Sequence, residues 1–300
     1  MTLYTQADSN IRKTWLYITL FSLFVILVGW AVSYYFDSPV ILIIAVIYSI
    51  STSFLSYWYS DKIVLRMAGA RPIEKSDNPE LYRLVENLCI TSGLPLPKIY
   101  IIQEAQPNAF ATGRNPKHAV VAVTQGLLDR LDRAELEGVV AHELAHIGNR
   151  DALLQTSVVV LTGVVVIMTD LFFRITFWGG GRRRNEKANP VMMVILIALI
   201  VLAPILATLI RLAISRKREF LADAKGALLT RYPEGLAAAL EKISQDPHPL
   251  KTAHSSTAHL YISSPFRGDE KQSWFAKLFM THPPIEERVR ALRGLNITRS

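Results

Sequence analysis

His142 and His146 stand four residues apart in the run HELAH, with Glu143 directly after the first of them. On a helix that spacing puts both imidazoles on one face, one turn apart. Two neutral imidazoles presented in this way can grip a Zn²⁺ ion, and the glutamate beside the first can take the proton of a water that the metal activates. The predicted chemistry is zinc-assisted hydrolysis. Two histidines on the surface of an amphipathic helix would give the same letters. The context favours the site: the preceding run, Arg133 to Ala141 (RAELEGVVA), forms helix and turns apolar just before the motif, as a half-buried active-site helix should.

A catalytic zinc takes three protein ligands and keeps one position open. The extended pattern HExxHxxGxxH is excluded, because Asn149 and Ala152 stand where its glycine and third histidine belong. The other solution is a glutamate from a later helix. RKREFLADA, residues 216 to 224, offers Glu219 and Asp223 at i,i+4, hence on one face. Glu219 would ligate the metal, and Asp223 would hold a ligand histidine or a neighbouring charge from behind. Either residue alone fits a charged cap where a membrane helix meets lipid head groups. With HELAH upstream, the pair reads as ligand and support. Cys89 is the sole cysteine, so neither an intrachain disulfide nor a cysteine-based zinc site is available, and the lone thiol fits a reducing compartment.

The frame around these residues is apolar. Half of the 300 residues are hydrophobic, only 19% are charged, and mean hydropathy is +0.24. That composition fits a membrane protein with a soluble part rather than an ordinary soluble domain. Four runs account for it: Trp15 to Phe36, Val40 to Tyr59 after the turn Asp37-Ser38-Pro39, Ala152 to Thr169, and Val191 to Ile210 with a kinking Pro204. Each approaches the roughly 20 residues a spanning helix needs. The first two read as a helical hairpin and not as a cleaved signal peptide. The second two could also be a buried hairpin of a soluble enzyme, but their length and lack of charge favour insertion.

An even number of spans puts the two polar regions, Ser60 to Asp151 and Arg211 to Ser300, on one side of the membrane with the N-terminus. Arg12, Lys13, Lys62, Arg66, Arg71, Arg150, Arg211, Arg216, Lys217 and Arg218 flank the runs on that side. The basic excess predicts that the catalytic side faces the cytoplasm. The connection GGGRRRNEK, between the third and fourth runs, is a minority signal the other way. The net charge of +8 matches lipid head groups better than nucleic acid, for which no binding motif appears.

The expected organisation is a transmembrane hairpin (residues 1–60), a first protease segment with the HExxH helix (61–151), a second transmembrane hairpin (152–210) and a second protease segment with the third ligand (211–300). The soluble part is α+β. A helix capped at Asp77-Asn78-Pro79 runs to about Gly93, followed by strands at Lys98 to Ile102, Ala109 to Thr112 and Ala119 to Thr124. The active-site helix covers Arg133 to Gly148. Later helices fall at Ser215 to Leu229, Pro233 to Ser244 and Ile285 to Leu292, with a loop-like stretch from Gln245 to Ser273.

Taken in order, HELAH, a two-span apolar insert, EFLAD and a late His282-Pro283-Pro284 resemble the HtpX-like membrane zinc metalloproteases, gluzincins related to the CAAX prenyl proteases. The N-terminal pair of spans and the run NAFATG, residues 108 to 113, strengthen the resemblance, which covers nearly the whole chain. It implies an ATP-independent endopeptidase of the cytoplasmic (inner) membrane that degrades damaged or misfolded membrane proteins. By the same resemblance His142, His146 and Glu219 would be the zinc ligands and Glu143 the general base. Asn108 and Ala109 would lie on an edge strand that pairs with the substrate backbone. His282 would stabilise the transition state, and Arg288 would pair with Asp223.

The implied reaction is peptide hydrolysis. Glu143 would take the proton of the activated water and deliver it to the leaving amine, while zinc and His282 share the oxyanion charge. The partners are polypeptides, chiefly membrane proteins, and the bilayer; no oligomeric state can be read. Two other readings stay open. One is a specific processing protease of the CAAX type, for which four spans are few to build an enclosed chamber. The other is a membrane scaffold with structural zinc, which would have four protein ligands and no base like Glu143.

Overall fold

The first apolar run lies within one continuous helix, α1 (Leu3–Tyr35), which turns at Asp37 and Ser38 into α2 (Pro39–Trp58). Asp37 takes the left-handed conformation that the tight turn requires, and Pro39 opens α2 with its fixed φ. The computed structural model describes residues 3–35, 37–161, 216–250, 257, 260–263, 265 and 283–295. Among these, Gln6–Ala31 and Pro39–Trp58 are long and apolar enough to cross a bilayer. The two helices meet along a face of small polar residues. Ser22 and Ser53 hydroxyls lie 2.7 Å apart, and Ser49 donates to the Ser22 carbonyl at 3.3 Å. A side chain on Gly29 would collide with Ala45. Such faces let helices approach where lipid removes the hydrophobic incentive. Their other faces leave Leu16, Leu23, Leu27, Ile43, Ile47 and Ile50 exposed.

α1 begins well ahead of its apolar run, about three turns before Trp15. Hydropathy does not foretell this, because the extension carries Asp8, Arg12 and Lys13. The described part of the third run, α7 (Asp151–Leu161), packs Leu154, Val158 and Leu161 against Tyr17, Ile18, Phe21 and Val25 of α1. The rest of that run, the fourth run and the GGGRRRNEK connection lie outside the described residues.

The polar segments build a mostly helical α+β unit. A short helix, α3 (Ser60–Met67), leads to β1 (Arg71–Pro72) and α4 (Pro79–Ser92). The Asn78 side chain caps α4 by accepting from the Leu81 N–H at 3.0 Å. β2 (Lys98–Ile102), β3 (Ala109–Thr112) and β4 (Val120–Thr124) follow, then α5 (Gln125–Arg130) and α6 (Arg133–Gly148). The sheet order is β1-β2-β4-β3, with β2 and β4 parallel and both outer pairs antiparallel, so β3 is an edge. β1, α3 and α5 are too short to carry a compositional signal, and the sequence reading omits them.

Beyond the second apolar pair come α8 (Arg216–Thr230), α9 (Pro233–Gln245) and α10 (Ile285–Arg293). α6 is fixed at its start by a reciprocal capping box, Asp132 with Glu135, at 2.9 and 3.0 Å. Its Val139, Val140, Leu144 and Ile147 join the core formed with α4, the sheet, α9 and α10. α8 crosses α6 at Gly226, where a Cβ would meet the His142 backbone at 3.0 Å. That crossing brings the two sequence-distant halves of the site together.

Candidate metal centre

α6 turns His142 and His146 to one side with their Nε2 atoms 3.1 Å apart and their rings nearly perpendicular. α8 brings Glu219 over them. Its carboxylate lies 3.6 Å from His146 Nε2 and 4.0 Å from His142 Nε2. One ligand atom from each of the three lies within 4.8 Å of the others, and all three side chains are buried. Two imidazoles and a carboxylate thus converge on one point. Their donor set is the one zinc takes.

Each imidazole is backed by a carboxylate on its other nitrogen. His142 Nδ1 lies 2.9 Å from Asp223 Oδ1, and His146 Nδ1 lies 3.2 Å from Asp151 Oδ2. The first contact departs from hydrogen-bond alignment, since His142 Nδ1 has no geometrically good acceptor. Burial works against charge on both rings. It prevails at His142, whose pKa falls to about 4 although Asp223 supports the charged form. At His146 burial is outweighed by the Asp151 hydrogen bond and by Glu219, Asp151 and Glu143, so its pKa is raised. A cation taken up by these ligands would compete with that proton, so metal uptake should depend on pH.

Arg288 reaches the site from α10 and is fully buried. It donates to both Asp223 oxygens, at 2.8 and 2.7 Å, and to the Ile262 carbonyl at 3.1 Å. Burial opposes its charge, but the Asp223 carboxylate, with Glu219 and Glu143, raises its pKa on balance. Burial likewise opposes charge on Asp223, and Arg288 and His142 overcome it, holding the carboxyl down at about 2. A folded pKa below the unfolded one means that Asp223 contributes stability at pH values above about 4, lost as the pH falls through about 2. Removing one partner of a buried pair leaves the other charge stranded. Arg288→Ala should therefore lower stability by about 3–5 kcal/mol, seen as an earlier thermal transition of the detergent-solubilised protein. A transition unchanged from the parent would mean the pair is not a stabilising element.

Glu143 points from α6 toward the sheet edge, where the Ala111 N–H of β3 hydrogen-bonds its carboxylate. Asn108 and Ala109 lie at the head of the same strand. Asn108 is fully buried, and its amide donates to the Ser263 carbonyl at 3.0 Å. The outward carbonyl of Ala109 accepts from the Ile262 N–H at 2.9 Å. Tyr261 packs edge-on against Phe110, with centroids 5.2 Å apart. The edge at Ala109 is thus covered by a short stretch of this chain. His282 lies outside the described residues; Pro283 and Pro284 after it lead into α10.

The structure therefore gathers His142, Glu143, His146, Glu219, Asp223 and Arg288 at one point, with Asn108 and Ala109 on the adjoining edge. It also brings in residues that sequence reasoning misses: Asp151, the Ala111 amide, and Asn10 and Arg218 behind Asp151. Asp151 is reached only because Arg150 adopts φ 61°, a left-handed turn for which nothing in its side chain signals a preference.

Residues 75–296 match the model of peptidase family M48. Protease HtpX homolog from Caldanaerobacter subterraneus subsp. tengcongensis is 46% identical over 301 aligned positions, covering 99% of both chains. Protease HtpX homolog from Dictyoglomus thermophilum is 45% identical over 97% of this chain and 94% of its own. The crystal structure of S. mikatae Ste24p aligns with 93% of this chain and 66% of its own, at 19% identity and a TM-score of 0.49.

Proposed function

This chain belongs to peptidase family M48 and is a metalloprotease, and from that premise we propose that it is a zinc-dependent endopeptidase of damaged or misfolded membrane proteins. The observation that carries the reading is the convergence of His142, His146 and Glu219 beside Glu143, under the edge of a sheet. His142, His146 and Glu219 would hold the zinc, which would supply Lewis acidity for hydrolysis of a peptide carbonyl.

The chain's own residues do the rest. Glu143 takes the water's proton and passes it to the leaving amine. Asp223 keeps the His142 ring oriented, and Arg288 keeps Asp223 in place. His282 donates to the oxyanion as its charge develops. The substrate lies extended along β3, exchanging the Ile262 contact at Ala109 for its own backbone N–H, while Asn108 shapes the head of the strand. Backbone pairing of this kind gives affinity with loose sequence preference.

We propose further that the protein is a multi-pass inner-membrane protein with four spans and the protease part toward the cytoplasm, divided at residues 60, 151 and 210. Trp15 stacks on Tyr57 at 5.0 Å, and Arg114, two residues beyond β3, sits 4.8 Å over Trp58. An aromatic and basic belt where the apolar run of α1 begins and α2 ends supports a site held at the membrane surface. The test is casein cleavage by the full-length chain, purified in detergent with chelator and then dialysed. Added zinc should start cleavage and chelator should stop it. Intact casein at full zinc occupancy would overturn the proposal and favour a zinc-holding scaffold.

A further inference from the structure

Asp151 sits just past the end of the HExxH helix, on the far side of the left-handed turn at Arg150. It is fully buried, and each carboxylate oxygen has its own work. Oδ2 lies 3.2 Å from His146 Nδ1. Oδ1 accepts from the Asn10 amide at 2.7 Å and lies 3.7 Å from Arg218 Nε. Asn10 is on α1 and equally buried, and its amide also donates to the Asn149 carbonyl at 2.9 Å. Its own oxygen faces Arg218 Nη1 at 3.5 Å. Arg218 stands next to Glu219 on α8, and Lys225 of the same helix donates to the Asn149 side chain. One hydrogen-bonded cluster thus joins the end of the zinc-motif helix, the third-ligand helix and the first apolar helix.

The chemistry of a ligand histidine gives this cluster a purpose. An imidazole that offers Nε2 to a metal must carry its proton on Nδ1, and a carboxylate accepting that proton fixes both the tautomer and the ring angle. Asp151 stands in this relation to His146, while at His142 the Asp223 carboxylate lies beside Nδ1 at 2.9 Å. A carboxylate on a free turn would hold the ring loosely. Asn10 and Arg218 remove that freedom from opposite sides.

Resting on the reading of His142, His146 and Glu219 as zinc ligands, we propose that Asp151 is the positioning residue for His146 and that Asn10 holds Asp151 in place. α1 is then a structural part of the metal centre as well as a membrane helix. Its extension beyond the apolar run, which lipid anchoring does not require, brings Asn10 to Asp151.

The test uses the full-length chain in detergent. Zinc affinity is measured by competition with a chromophoric chelator, and ligand geometry by the visible spectrum of the cobalt-substituted protein. Asp151→Ala should weaken zinc by about 10- to 100-fold, as loss of such a partner does. Asn10→Ala, which removes one hydrogen bond from Asp151, should weaken it by about 3- to 10-fold. Both should shift the cobalt bands, which a general loss of stability would not do. Asp151→Asn keeps the size of the side chain and the turn and should itself weaken zinc, less than Asp151→Ala does, so it carries the test where the alanine variant does not fold. Parental affinity and spectrum in Asn10→Ala would overturn the role of α1. The same result in Asp151→Asn would overturn the whole inference while zinc binding by the parent leaves the functional reading intact. A parent that binds no zinc would overturn both.

Discussion

Glu143→Gln is expected to leave zinc bound at the parental level and to slow peptide cleavage by about 10²- to 10⁴-fold, the range that a positioned general base supplies. The substitution changes neither size nor the three ligand side chains. It removes only the ability to accept a proton. The surroundings of Glu143 are tuned for that task. Burial raises its pKa to about 7; Glu219 acts in the same direction, while His146, Arg288 and the Ala111 N–H act against. A carboxylate poised near neutrality has an affinity for protons that suits both taking one from water and giving it to an amine. Because the working form is the ionised one, kcat/KM should rise with pH as Glu143 deprotonates. A bound dication favours the ionised form, so this limb should lie below about 7. In Glu143→Gln the limb should vanish along with most of the turnover. Substantial residual cleavage at full zinc occupancy would remove Glu143 from the reaction.

The part of this site that follows local periodicity was legible in the sequence, and the part made by turns and long-range packing was not. His142, Glu143 and His146 share one helix, so their spacing alone fixes their relative geometry. Glu219 and Asp223 share another, and the strands Lys98–Ile102 and Ala109–Thr112 stand where their short, turn-bounded runs predict. Asp151 differs in kind. It follows the same motif, but its approach to His146 depends on the backbone reversing at Arg150, which helical spacing does not foresee. Asn10 is further removed still. It lies in a polar stretch before an apolar run, and hydropathy reads such a stretch as the end of a helix. Only the packing of α7 along α1 carries it to the carboxylate. Arg288 stands between these cases. Its helix was expected and the family resemblance pairs it with Asp223, yet nothing in the local charge pattern of EERVRALR marks this guanidinium as the charged group that is buried.

Glu219→Ala is expected to lose stoichiometric zinc and, with it, cleavage. Replacing a residue that merely orients a ligand weakens a metal by about 10- to 100-fold, so removal of a ligand itself should exceed that range. The electrostatics point the same way. Around the site the buried carboxylates of Glu143, Asp151, Glu219 and Asp223 face the buried guanidiniums of Arg218 and Arg288. That excess of negative charge is costly to bury and is relieved by a dication. Removing Glu219 takes away part of the excess and leaves Arg288, whose Nη1 lies 3.9 Å from Glu219 Oε2, turned toward the incoming cation with less to oppose it. Ligand loss can be separated from unfolding by heating with and without metal. Zinc at a hundred times its dissociation constant should stabilise the parent by about 2.7 kcal/mol and raise its transition, whereas the variant's transition should not respond. Metal analysis after dialysis against equimolar zinc completes the test. A Glu219→Ala protein that retains one zinc per chain would show that another side chain is the third ligand.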